Sequence, residues 1–116
     1  MLNTPRRTFA LALLALASLS APLAEAQEKV LRIVVPFGPG GGSDNFARIL
    51  QPRLAELLKQ TVVIDNKPGA GGAIGAAFVA KAPADGSTVL LSDASVVTIN
   101  PALFAKLPYS ASDLVP

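Results

Sequence analysis

The chain has 116 residues with ten basic and eight acidic side chains, and it contains neither cysteine nor histidine. That composition excludes disulfides, thiolate metal ligands, a thiol nucleophile and the usual imidazole base, and no cofactor is expected. No basic stripe or aromatic platform points to nucleic acid.

The first residues carry the features of an export signal. Arg6 and Arg7 precede an Ala/Leu run from Phe9 to Leu19, and Ala24-Glu25-Ala26 offers the small-x-small pattern of a cleavage site. The run is about eleven residues, short of the roughly twenty that a stable bilayer span needs. Residues 1–26 are therefore expected to be a removed signal peptide, leaving 27–116 in the periplasm with no stable membrane insertion. Arg6-Arg7-Thr8-Phe9 is similar to a twin-arginine core, although Pro5 stands where that motif prefers Ser or Thr, so both the Sec and the twin-arginine route are open. Without its signal the chain carries eight basic and seven acidic side chains and is nearly neutral. Its remaining ninety residues can bury one modest core.

Val30 to Val35 is a short, β-branched run that stops at Pro36 and reads as a mostly buried strand. From Asp44 the period becomes helical: Phe46, Ala47, Ile49, Leu50, Leu54, Leu57 and Leu58 form one apolar stripe, and Ser43 or Asp44 can cap the first turn. Pro52 inside this helix predicts a kink. Thr61 to Asp65 is a second strand, Ile74 to Ala82 a small-residue helix suited to close approach on a sheet, and Thr88 to Leu91 a third strand. Strand and helix alternating over short connections predict an α/β fold with parallel strands and right-handed crossovers. Beyond Ser95 the pattern weakens: a turn or short helix is expected from Asn100-Pro101 through Phe104, then an extended Leu107 to Ser110, and no closing element.

Two glycine-rich turns, Pro36 to Asp44 and Asn66 to Gly75, each join a strand to a helix. The first N–H groups of a helix lack intrahelical acceptors and carry about half a positive charge. Two such ends facing one cleft would hold an anion without charged side chains. The plainer reading of Gly40 to Gly42 is a tight turn, and Asp44 suits a cap better than a ligand contact because its charge repels a carboxylate. Arg48 is expected to pair or lie along the helix.

A dinucleotide-binding enzyme is the rival reading, since Gly69-x-Gly71-x-x-x-Gly75 followed by Asp93 superficially resembles a Rossmann half. The third glycine comes one residue too late, and Asn66-Lys67-Pro68 separates strand from turn. A third possibility is a fragment with a structural or interaction role and no ligand.

Val34 to Gly41, Asp44, Ala47-Arg48, Val62 to Gly72, Ile74-Gly75, Asp85-Gly86, Asn100-Pro101 and Leu107-Pro108-Tyr109 together resemble the Bug family, the periplasmic solute receptors of tripartite tricarboxylate transporters. The resemblance implies a parallel βαβαβ portion of lobe 1 of a type II periplasmic binding protein, truncated before the second lobe of a Venus-flytrap fold. It implies a small di- or tricarboxylate or similar acid as ligand, and the transporter's membrane components as partner. Carried over by position, the ligand-binding residues are Phe37, Gly38, Gly40, Gly41, Ser43 and Asp44 in the first turn and Ala70, Gly71, Gly72 and Ala73 in the second. Ser92, Ser95, Thr98 and Asn100 are further candidates. Lys59 replaces the glycine that usually ends the family's first helix, Ser87 stands where an aromatic residue is common, and Ser110-Ala111 replaces an Asp-containing turn.

Overall fold

The structure is a computed structural model that describes residues 29–115; the expected signal peptide lies outside the described residues. Strands β1 (Val30–Val35), β2 (Thr61–Asn66) and β3 (Thr88–Leu90) form a parallel sheet in the order β2-β1-β3. Val30 to Val35 pairs in register with Thr61 to Asn66, and Arg32 to Val34 with Thr88 to Leu90. β1 ends where expected, because Pro36 has no N–H to continue the ladder. β3 is one residue shorter than its pattern, although the Leu91 N–H still bonds the Val34 carbonyl at 2.9 Å.

Helix α1 (Gly42–Leu58) connects β1 to β2, and α2 (Ala73–Ala80) connects β2 to β3. Adjacent strand residues point to opposite faces. Ile33, Val35, Val62 and Leu91 accordingly form one cluster with Ala47 and Leu54 of α1, while Leu90 joins Ala73, Ala76 and Ala77 of α2. The two helices thus cover opposite faces of the sheet. The small residues of α2 let it approach closely: a Cβ on Gly75 would lie 2.8 Å from the Pro36 Cβ and 2.9 Å from its Cα.

Three sequence expectations change in the structure. The wide apolar stripe of α1 does not all face the sheet. Ala47 is buried and Leu50 and Leu54 are half-buried, but Phe46, Ile49, Leu57 and Leu58 are exposed, Ile49 to 73%. The contact face is rotated toward Gln51 and Ala55, where the Gln51 Nε2 donates to the outer Val62 carbonyl of β2 at 2.7 Å. α1 also starts without a side-chain cap. Gly41 is its N-cap, and Asp44, three residues in, reaches back to the Gly40 N–H instead. The helix continues through Pro52 to Leu58.

The third change concerns the end of the described chain. A π-helical turn over Ser95–Ile99 runs into the short helix α3 (Asn100–Leu103). Tyr109 then folds back so that its hydroxyl donates to the Val96 carbonyl at 2.5 Å, and both residues join the α2 cluster. This wall had no legible period because it is held by one aromatic ring and not by a repeating face. Among the described residues no helix is long and apolar enough to cross a membrane.

Candidate anion-binding site

In the first turn, Gly40 adopts φ +86°, a left-handed conformation that favours glycine. The chain enters α1 immediately afterwards. Among the described residues no acceptor meets the N–H groups of Gly38, Gly41, Gly42, Ser43 or Asp44. The Gly40 N–H is different, since it is 2.8 Å from the Asp44 Oδ2. Asp44 is buried to 1% exposure and its two oxygens also accept from the Arg48 Nε at 2.9 Å and the Asn66 Nδ2 at 2.9 Å. The Arg48 hydrogen bond, followed by those of Gly40 and Asn66, holds the Asp44 carboxyl far below the ordinary carboxylate range despite its burial. Asp44 is thus an internal anion that braces the turn, and its oxygens are engaged by the protein. Arg48 pairs with it as the sequence suggested.

The second turn is built from four consecutive residues with positive φ: Gly69 at +127°, Ala70 at +48°, Gly71 at +62° and Gly72 at +88°. Ala70 is the strained member, because its Cβ crowds the backbone in this region. Three carbonyls of the turn are bonded within the protein. Gly69 O accepts from the Gly72 N–H at 3.0 Å, Ala70 O from the Ala73 N–H, and Gly71 O from the Asn100 Nδ2 at 2.9 Å. The N–H groups of Ala70 and Gly71 meet no acceptor among the described residues.

At the end of β3, the polar candidates bond locally. The Ser92 hydroxyl donates to the Asp93 carbonyl, the Ser95 hydroxyl and N–H to the Asp93 carboxylate, and the Thr98 hydroxyl to the Ala94 carbonyl. Asn100 is buried to 3% exposure, with its amide turned toward Gly71 and the Tyr109 hydroxyl.

A pocket of about 490 Å³ opens between the start of α1 and the end of β3, lined by Gly42, Ser43, Phe46, Leu90, Leu91, Ser92 and Asp93. Of the sequence candidates, Ser43 and Ser92 line it. Phe37, Gly38, Gly40, Gly41 and Asp44 belong to the same turn but do not line the pocket. The second turn, including Ala70 to Ala73, does not line this pocket. It meets the first turn instead through Gly72, where a Cβ would lie 3.4 Å from Pro36 and 3.6 Å from the Phe37 ring. Sequence reasoning missed Gly42, Phe46, Leu90, Leu91, Asp93 and Asn66. Gly42 and Asn66 stand inside the two glycine motifs and were legible there. Phe46 and the two leucines carry only the signal of core residues, and nothing local marks their open side. Among the described residues no group of His, Cys, Asp or Glu could hold a metal ion.

Residues 46–116 match the sequence profile of the tripartite tricarboxylate transporter family receptor. The protein BugT of Bordetella pertussis is 40% identical over 107 residues, which is 89% of this chain and 33% of BugT. Among solved structures, MatC of Rhodopseudomonas palustris with bound malate is 38% identical with a TM-score of 0.66, over 71% of this chain and 28% of MatC. A second R. palustris protein, solved with adipate, is 35% identical with a TM-score of 0.70, over 76% of this chain and 29% of its own. The chain spans a quarter to about a third of the length of the first curated relatives it matches. The parallel sheet and its helices are part of a periplasmic binding protein fold. By this profile and these relatives, the chain belongs to the tripartite tricarboxylate transporter receptor family, the Bug family, whose members are solute-binding proteins and not enzymes.

Proposed function

We propose that this chain forms the carboxylate-gripping part of an exported receptor that passes a small organic acid to a tripartite tricarboxylate transporter. The carrying observation is the row of N–H groups at Gly42, Ser43 and Asp44 that meet no acceptor among the described residues, two of them in residues that line the 490 Å³ pocket. Oriented N–H groups at a helix start favour an anion such as a carboxylate. Bound malate and adipate in two structural neighbours support the same ligand class. The Ser43 hydroxyl, on the same turn, would add a further donor. Residues 1–26 would serve as the export signal, by the Sec or the twin-arginine route.

The pocket is open, and charge-assisted hydrogen bonds of roughly 1.5–3 kcal/mol each scarcely offset the cost of association in a wet half-site. Millimolar affinity is therefore expected of this chain alone. Amide-resolved NMR titration with malate, adipate, succinate and citrate tests the reading. Saturable shifts at Gly42 and Ser43 are expected, and no shift with any acid rejects it. A response to NAD in place of the acids would favour the dinucleotide-binding alternative.

A further inference from the structure

The pocket between α1 and β3 is polar in opposite senses at its two walls. At the start of α1 it offers donors: the N–H groups of Gly42 and Ser43, which meet no acceptor among the described residues, and the Ser43 hydroxyl. At the end of β3 it offers acceptors. The Ser92 hydroxyl already donates its proton to the Asp93 carbonyl at 2.9 Å, so toward a ligand its oxygen can only accept. The Asp93 carboxylate receives the Ser95 N–H and hydroxyl on Oδ1, and its Oδ2 has no partner among the described residues. Asp93 is also the one charged side chain among the residues that line the pocket, and no lysine or arginine lines it.

This polarity limits what the far end of a bound acid can be. A volume of about 490 Å³ corresponds to roughly 10 Å across, about one Debye length at 0.1 M salt, so Asp93 acts on any charge held inside. With one carboxylate on the N–H groups of α1, a second carboxylate would find no cation in the pocket and would be repelled by Asp93. A hydroxyl, and still more an ammonium, would find acceptors there. Phe46, Leu90 and Leu91 complete the lining and suit an apolar segment joining the two ends. We propose that Asp93 is a specificity-determining residue, through which the pocket selects an acid bearing a hydrogen-bond donor, an ammonium group in particular, over a diacid of the same length. This rests on the receptor reading given above.

Four acids test the assignment. They share a carboxylate and three methylenes and differ in the last group: glutarate (carboxylate), 4-aminobutyrate (ammonium), 4-hydroxybutyrate (hydroxyl) and pentanoate (methyl). NMR titration of the whole chain follows the Gly42 and Ser43 amides in wild type, Asp93→Asn and Asp85→Asn. Asn keeps an acceptor for Ser95 and removes the charge. Asp85 lies outside the pocket, so its variant changes the net charge equally without touching the lining. Wild type is expected to bind 4-aminobutyrate about fivefold more tightly than pentanoate, and glutarate about fivefold less tightly, the effect of one unit charge at contact distance in water. 4-Hydroxybutyrate should fall between pentanoate and 4-aminobutyrate.

Both ratios to pentanoate should approach one in Asp93→Asn, persist in Asp85→Asn and shrink as NaCl is raised toward 1 M. Glutarate bound as tightly as 4-aminobutyrate by wild type overturns the proposal. So do ratios that survive in Asp93→Asn, or that Asp85→Asn moves as much. If Asp93→Asn fails to fold, the salt dependence of the wild-type ratios decides. A response to pentanoate with no ranking among the far ends rejects the selectivity alone, whereas no response to any of the four acids rejects the receptor reading together with it.

Discussion

At the scale of single residues, two positions make the chemistry of the first turn measurable. Asp44 is held ionised by Arg48, Gly40 and Asn66, so its proton affinity is lower in the folded chain than in the unfolded one. A group of this kind contributes stability that is present above the ordinary carboxylate pKa, near pH 4, and is lost as the pH falls below it. Asp44→Asn is expected to lower Tm at pH 7 and to flatten the acid limb of the stability profile, as read by thermal melts between pH 7 and 3. Lys59 ends α1 at φ +51° and ψ +44°, and the Gln60 N–H reaches back to Ala55 O at 3.4 Å to close the helix. Lys59 thus adopts the left-handed conformation that favours glycine. Lys59→Gly should stabilise by about 1 kcal/mol in urea unfolding. Both the strain at Lys59 and the pairing of Arg48 were legible from sequence, since each depends on neighbours within a turn or two.

At the scale of elements, close approach decides the geometry. The Gly75 face of α2 leaves no room for a side chain beside Pro36 and the Lys67 carbonyl. Gly75→Val is expected to cost about 1–3 kcal/mol by overpacking and to broaden the Gly72 and Phe37 resonances, because the second turn rides on this contact. The small-residue pattern announced the approach, and the strands were readable nearly to the residue from their β-branched runs and the Pro36 stop. The facing of α1 was not. Seven apolar positions spanned too wide an arc for one three-stranded sheet, and only the sheet's placement selected Ala47, Leu50 and Leu54 and left Phe46 and Ile49 outward.

At the scale of the whole molecule, the segment after β3 is a wall and not a loose end. Tyr109, the one tyrosine of a chain without tryptophan, is 7% exposed and bonds Val96 while receiving a hydrogen bond from Asn100. It is therefore an intrinsic probe of that wall. Its near-UV circular dichroism should disappear together with the far-UV signal on urea unfolding, and non-coincident transitions would show that the wall comes away from the sheet independently. Tyr109→Phe should cost about 1–2 kcal/mol, since it leaves the buried Val96 carbonyl unmatched.

The sequence by itself determined the strands, the alternation that makes them parallel, the two glycine turns and, through their joint pattern, the family. These are local properties, set by β-branching, proline, glycine and helical spacing. Tertiary structure decided how the site is assembled. The pocket joins the first turn to the end of β3, and the second turn touches the first through Pro36 and Phe37. It also decided which carbonyls of the turns are engaged from a distance, because those of Phe37 and Gly71 are claimed by amides 29 residues further along the chain in each case. A glycine turn records in sequence that it can bend; which more distant side chains bond its carbonyls is decided only when folding brings them together.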